Sequence, residues 1–103
     1  MQQKGAEQVF IILLRFSDNK GNAGEFMQGH NEWIKRGMDE GVFLLVGSLQ
    51  PAQGGAIIAH NTTRADLEAR VNSDPFVLEN VVKAEILEIT PSKADPRLGF
   101  LLD

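Results

Sequence analysis

Apolar residues in this chain follow two spacings, one typical of strands and one typical of helices. Short apolar runs, each bounded by turn-forming residues, predict four β-strands over residues 8–16, 42–49, 55–60 and 81–90. Apolar positions three and four residues apart predict a helix over 24–40, and a capping signal predicts a second over 63–73. The order βαββαβ predicts a ferredoxin-like α+β sandwich, with four antiparallel strands and both helices on one face.

The ends of both predicted helices are marked in the sequence. Gly41 follows the first helix and is a usual helix stop. Thr63 and Asp66 have the spacing of a capping box at the start of the second helix. Asp74-Pro75-Phe76 ends that helix, because a proline disfavours helical geometry at the residue before it. A short irregular turn is then expected before the last strand.

The first two strands are apolar on both faces, whereas a strand with one wet face should alternate. The helices can cover only one face of the sheet, and the chain has no segment left to build a second layer. We therefore predict an obligate homodimer in which two sheets pack together, driven by burial worth about 25 cal/mol per Å² of apolar area. The dimeric form of this sandwich is a dimeric α+β barrel.

The 103 residues suffice for one domain. We expect a frayed N-terminus over 1–7, the α+β domain over 8–91, and a tail over 92–103. The tail ends in Leu98, Phe100, Leu101 and Leu102. Because these side chains are too apolar to lie in water, the tail is expected to dock on its own subunit or to clasp the partner.

Composition excludes several function classes. The net charge is −4 and the basic residues are scattered along the sequence. The chain therefore lacks the basic patch that binding to nucleic acid requires, and no nucleic-acid partner is expected. The absence of cysteine removes disulfides, thiol catalysis and zinc–thiolate sites, and fits a reducing compartment. Arg15 ends the apolar run 9–14, which is too short for a signal-peptide core or a membrane span. We expect a cytoplasmic protein with no membrane partner.

One titratable residue lies on the apolar side of the first helix. At about 100° per residue, the following share one arc: Phe26, Met27, His30, Trp33, Ile34, Gly37 and Met38. Histidine as a residue type has an unperturbed pKa of about 6.5, so it both takes and gives a proton near neutral pH. His30 is therefore either a core residue hydrogen-bonded to backbone or a reagent, and the helix pattern alone leaves both open.

Four local signatures resemble those of the YciI-like family (the YCII-related domain). They are the apolar first strand, His30-Asn31-Glu32-Trp33, the segment 41–48 leading into Pro51, and Asp74-Pro75-Phe76 followed by an apolar turn. The resemblance spans residues 8–91. It implies a dimeric α+β barrel related to small lactone isomerases and cofactor-free monooxygenases, with a cleft between the helices and the curved sheet.

The resemblance also implies a His–Asp pair in that cleft, which here is His30 with Asp74. A carboxylate on the second ring nitrogen would fix the tautomer and stabilise the imidazolium. Alternatively, Asp74 only caps a turn, as aspartate before proline often does. For the pair to act together, the two side chains should lie within about 3.2 Å or one water of each other. Many relatives have Gly-Pro where this chain has Gly47-Ser48.

Further candidate ligand-binding residues are Trp33, Ser48, Phe76 and Arg15. The two aromatic residues are either core or the flat wall of a pocket. The serine is either a turn residue or a hydrogen-bond donor to a ligand, and the arginine either holds an anionic substrate or extends to the sheet edge. The sequence contains no His-x-x-x-His pair, so no metal site is predicted. No cofactor is expected.

Two function classes follow. The first is a small enzyme, of lyase, isomerase or dehalogenase type, that uses His30 with Asp74 for proton transfer without a cofactor. The second is a non-catalytic dimer that binds a small metabolite, or regulates, through the same cleft.

Overall fold

The computed structural model describes residues 8–102, so the expectation for residues 1–7 lies outside the described part. Four strands form one antiparallel sheet of order β2-β3-β1-β4: β1 (Val9–Phe16), β2 (Phe43–Leu49), β3 (Gly54–Ala59) and β4 (Val82–Ile89). The helices are α1 (Ala23–Asp39), α2 (Arg64–Asn72) and α3 (Pro75–Leu78), with 3-10 helices at Lys20–Asn22 and Pro96–Leu102. The predicted ferredoxin-like α+β sandwich is confirmed, since this is its strand order.

The core lies between the sheet and the helices. In β1 the even-numbered side chains Phe10, Ile12 and Leu14 are buried there, because successive residues of a strand point to opposite faces. Residues that pair across strands point to the same side of the sheet. In β3, Ile57 pairs with Ile12 and Ala59 pairs with Phe10, so both also face the helices. The helices add Trp33, Leu67, Val71 and Phe76 to this core.

The helix ends follow the sequence signals. Gly41 has a φ of +77°, a left-handed conformation that glycine adopts without strain, and it follows Glu40, the C-cap of α1. Thr63 caps α2 by accepting a hydrogen bond from the backbone N–H of Asp66 at 3.1 Å. Gly37 lets α1 approach β2, since a methyl group there would overlap the Phe43 ring.

The segment after α2 differs from the sequence expectation. It forms the short helix α3 instead of an irregular turn. The Asp-Pro pair that ends α2 also starts α3, because Asp74 is its N-cap and Pro75 occupies the first helical position, where the missing N–H costs nothing. Pro75 packs against Gly29 of α1, so α3 holds its residues beside the middle of that helix.

The sheet side away from the helices is called here the open face, and it carries the odd-numbered side chains of β1 and their cross-strand partners. Leu45 is 59% exposed there, and Leu87 and Ile89 are also exposed. The tail lies at one end of it, where the buried Leu101 lines a pocket together with Val9 and Ile89. The tail thus packs on its own subunit. Three of its apolar side chains stay exposed: Leu98, Phe100 and Leu102.

No helix within residues 8–102 is long and apolar enough to cross a membrane.

Candidate functional site

α1 and α3 bring His30 and Asp74 together. The His30 Nδ1 and Asp74 Oδ1 atoms are 2.8 Å apart, although the residues are 44 positions apart in the chain. Asp74 is completely buried, while the His30 side chain is 12% exposed. The separation is within the range that joint action requires.

The hydrogen bonds of Asp74 decide which His30 nitrogen carries a proton. Asp74 Oδ1 accepts the backbone N–H of Phe76 at 3.0 Å. Because this oxygen already acts as an acceptor, we assign Nδ1–H of His30 as the donor in the second bond. The assignment leaves Nε2 as the nitrogen that offers a lone pair, and no described residue contacts it by a hydrogen bond.

The second carboxylate oxygen of Asp74 affects how strongly the carboxylate interacts with a charge on His30. Asp74 Oδ2 is buried and has no hydrogen-bond partner within residues 8–102. A buried carboxylate that is incompletely hydrogen-bonded gains more from a neighbouring positive charge than an exposed one, because the local dielectric is low. A proton taken by Nε2 would place the positive charge of the imidazolium directly beside this carboxylate.

Aromatic rings fix the plane of His30. The Phe76 ring is parallel to the imidazole, with an interplanar angle of 4° and centroids 3.9 Å apart. Trp33 stacks less closely, at 5.8 Å and 25°. Trp33 is itself held by its Nε1–H, which donates to the carbonyl of Arg70 at 2.9 Å. The imidazole thus has little freedom to rotate away from Asp74.

A cavity of about 330 Å³ lies between α1 and the end of the sheet, and His30 and Phe76 are in its wall. This volume is at the small end of the range of about 300–1,000 Å³ for ligand sites. Its other polar side chains are Asn31 and Ser48. The remaining lining is apolar or glycine: Leu14, Phe16, Met27, Ile34, Val46, Gly47, Gly54, Gly55, Ala56, Ile57 and Val82.

The structure places the four ligand-binding residues that were predicted from the sequence in three different locations. Ser48 and Phe76 line the cavity, whereas Trp33 is buried behind His30 and does not. Arg15 is not brought to this cavity. It lies on the open face, because its parity in β1 is opposite to that of Leu14, and its Nη1 pairs with Glu85 at 2.7 Å. Of the two alternatives for Arg15, binding an anionic substrate would therefore have to take place outside this cavity.

Asn31 and Gly55 are cavity residues that sequence reasoning missed. The signal for Asn31 was present, since positions 27, 30, 31 and 34 share one side of a helix. Gly55 reaches the cavity only through its strand register, opposite Leu14 on one side and Ser48 on the other.

A larger and more open cleft of about 760 Å³ lies between α1 and α2 and is lined mainly by polar residues such as Arg36, Thr63 and Arg70. It does not include His30 or Asp74. No group of three or more histidine, aspartate or glutamate side chains within residues 8–102 is placed to hold a metal ion.

No protein-family model matches the chain. No curated protein matches it either. Among solved structures, the crystal structure of PA3566 from Pseudomonas aeruginosa is similar, with a TM-score of 0.58 and 13% sequence identity over 89% of this chain and 100% of that one. At this identity the likeness shows the fold alone.

Proposed function

We propose that this protein is a cofactor-free enzyme that moves a proton within a small molecule, as an isomerase, lyase or dehalogenase does. The observation that carries the proposal is the 2.8 Å contact between His30 Nδ1 and Asp74 Oδ1 at the wall of a cavity. Asp74 holds one ring nitrogen, which leaves the other to act on a ligand.

The proposed reaction begins with a carbon acid, such as a ring carbon next to a carbonyl group. The lone pair on His30 Nε2 takes the proton, and the electrons of the broken C–H bond move to the carbonyl oxygen as an enolate. The Nε2–H of the imidazolium then returns the proton to a different carbon, which gives an isomer. Asp74 stays ionised and stabilises the imidazolium between the two steps.

The negative charge that develops on the enolate oxygen needs a hydrogen-bond donor. Asn31 and Ser48 both line the cavity with donor groups, the amide N–H₂ and the hydroxyl. Donors placed before the reaction stabilise such an oxygen without reorganisation, and each is worth about 3–4 kcal/mol in well-studied sites. We propose that these two side chains fill that role.

Isomerisation of cyclohex-3-enone to cyclohex-2-enone tests the proposal. The reaction removes a proton at one carbon and returns it at another, and the conjugated product is measured by its ultraviolet absorbance. We expect His30→Gln to lower the rate by about 10²–10⁴-fold, the usual contribution of a general acid–base. His60→Gln, at the end of β3 and outside this cavity, is the matched control and should leave the rate unchanged. A wild-type rate no higher than that of His30→Gln contradicts the proposal.

The alternative class, a non-catalytic binding or regulatory dimer, predicts a different pattern. If His30→Ala abolishes binding of a cavity ligand as fully as it abolishes turnover, the histidine is needed to hold the ligand and the catalytic role loses its support. Proton transfer predicts instead that turnover falls far more than binding does.

We also propose that the chain is a YciI-like protein of the cytoplasm. Support for the family comes from the motifs around His30 and Asp74, together with an α+β sandwich that has a cavity between helices and sheet. Support for the compartment comes from the cysteine-free sequence, which has no need of an oxidising environment.

A second copy of the chain is the proposed partner of the open face. Leu45, Leu87 and Ile89 are exposed there, and a two-fold axis would bring the same apolar side chains of two copies together. Sedimentation equilibrium at micromolar concentration should show a dimer, which Leu45→Glu dissociates. Leu78→Glu is the matched control, because Leu78 is equally exposed but lies on the helix side. A stable wild-type monomer would remove this proposal.

A further inference from the structure

Gly55 has no structural reason to be glycine. Its φ is not positive, so the backbone there suits any residue, and a Cβ atom built on it meets only the Gly47 carbonyl oxygen, at 3.4 Å. The neighbouring Gly54 is different. It has a φ of +128°, and a Cβ there would overlap the backbone of Leu14. Gly54 is required by the fold, whereas Gly55 is not.

The space above Gly55 is the cavity. Gly55 pairs with Leu14 of β1, whose side chain is on the helix side of the sheet, so a side chain at position 55 would point to the same side. Gly55 also pairs with Ser48, the polar cavity residue of β2. A glycine in a strand interior costs about 0.5–1 kcal/mol relative to alanine. Here the glycine keeps a patch of the sheet flat beneath the cavity.

The cavity also lacks charged groups. Among the described residues that line it, His30 is the one titratable side chain, and none is lysine, arginine, aspartate or glutamate. The ammonium of Lys20 lies 4.9 Å from the centre of the Phe16 ring, but Lys20 does not line the cavity. A carboxylate or phosphate ligand would therefore lose its hydration without gaining a fixed cation, which is costly.

We propose that the cavity takes a flat, uncharged ring compound with a carbonyl or hydroxyl oxygen, and that Gly55 sets the size of that ring. The ring lies on the bare backbone at Gly55, and its oxygen accepts hydrogen bonds from Asn31 and Ser48, which leaves the lone pair of His30 Nε2 to face a ring carbon. This inference names the substrate class of the proposed function and rests on it for the roles of Asn31 and Ser48. The flat floor and the lack of charge stand independently of catalysis.

Phenol, benzoate and phthalate are suitable probes, because they share one ring and differ in charge. Titrations followed by ¹H–¹⁵N spectra should show phenol shifting the amides of Ser48 and Gly55, with benzoate at least tenfold weaker and phthalate weaker still. Phenol without effect on these amides up to millimolar concentration, or benzoate binding there as well as phenol, would overturn the inference.

Gly55→Val supplies the second arm of the test. Valine suits a strand, and its Cβ would meet only the Gly47 carbonyl oxygen, at 3.4 Å, so the variant should unfold at the same or a higher temperature than the wild type, yet bind phenol at least tenfold more weakly. Gly24→Ala is the matched control. A Cβ at position 24 has nothing within 4 Å, and Gly24 does not line the cavity, so phenol binding should be unchanged. A destabilised Gly55→Val, or one that binds phenol normally, would overturn the inference.

The two proposals fail in different ways. If phenol binds over Gly55 and His30→Gln leaves the isomerisation rate unchanged, the ligand class stands and the proton-transfer function fails. If isomerisation depends on His30 and the ring binds without regard to charge or to Gly55→Val, the function stands and the ligand class fails.

Discussion

Replacing Asp74 with alanine removes two hydrogen bonds from a buried position, so its cost can be estimated from the structure. The carboxylate caps α3 through the Phe76 N–H, and loss of such a cap costs about 0.5–2 kcal/mol. It also accepts the His30 Nδ1–H at 2.8 Å. A hydrogen bond to a charged group contributes about 1.5–3 kcal/mol. We therefore expect Asp74→Ala to lower the free energy of unfolding by about 2–5 kcal/mol, from the cap and the pair together.

Urea unfolding at neutral pH separates these two contributions with the help of two further variants. Thr63→Ala removes only a cap, at the exposed start of α2, and should cost about 1 kcal/mol. Asp74→Asn keeps an oxygen that accepts both hydrogen bonds, and its amide nitrogen replaces an oxygen that already lacks a partner in the described structure. Asp74→Asn should therefore lower the free energy of unfolding by less than half as much as Asp74→Ala does. A cost for Asp74→Ala no greater than that of Thr63→Ala would refute the claim that Asp74 holds His30.

Two further predictions concern other parts of the fold. Gly37→Ala should lower the free energy of unfolding by about 1–3 kcal/mol in urea, because the new methyl group overlaps Phe43. Gly24→Ala, in the same helix with open space around it, should instead stabilise by up to about 1 kcal/mol, and equal effects of the two variants would contradict this packing. The Arg97 side chain and backbone N–H lower the pKa of the Asp95 carboxyl from 3.8. Their interaction is therefore lost as the pH falls through that lowered pKa. A carboxyl titration by NMR should show a midpoint below 3.8 that rises in Arg97→Ala, and an unmoved midpoint would count against the pair.

Local patterns in the sequence were sufficient for the strands and the two longer helices. Their signals lie within one element, such as the capping box at Thr63 or the glycine stop at Gly41. The short helix α3 was missed because four residues are too few to show a helical period, and Asp74-Pro75 was interpreted only as the end of α2. The same two residues terminate one helix and begin the next.

The candidate site was only partly predictable, for a different reason. His30 stood out on its helix, but its pairing with Asp74 came from the family resemblance and not from the helix pattern. The side of the sheet on which Arg15 lies could not be predicted, because β1 is apolar on both faces and its pattern does not tell which parity faces the helices. Gly55 was missed because its place in the cavity wall depends on how β3 is paired with β1 and β2, and the sequence pattern does not give that register.

His30 can act as proposed only if Nδ1 keeps its proton against Asp74 and Nε2 presents a lone pair to the cavity. Long-range ¹H–¹⁵N correlation of the imidazole, recorded at a pH where the ring is neutral, distinguishes the two tautomers directly. We predict the Nδ1–H tautomer in the wild type. A neutral His30 that carries its proton on Nε2 would contradict the proposed proton transfer, because the nitrogen facing the ligand would then have no lone pair to accept a proton.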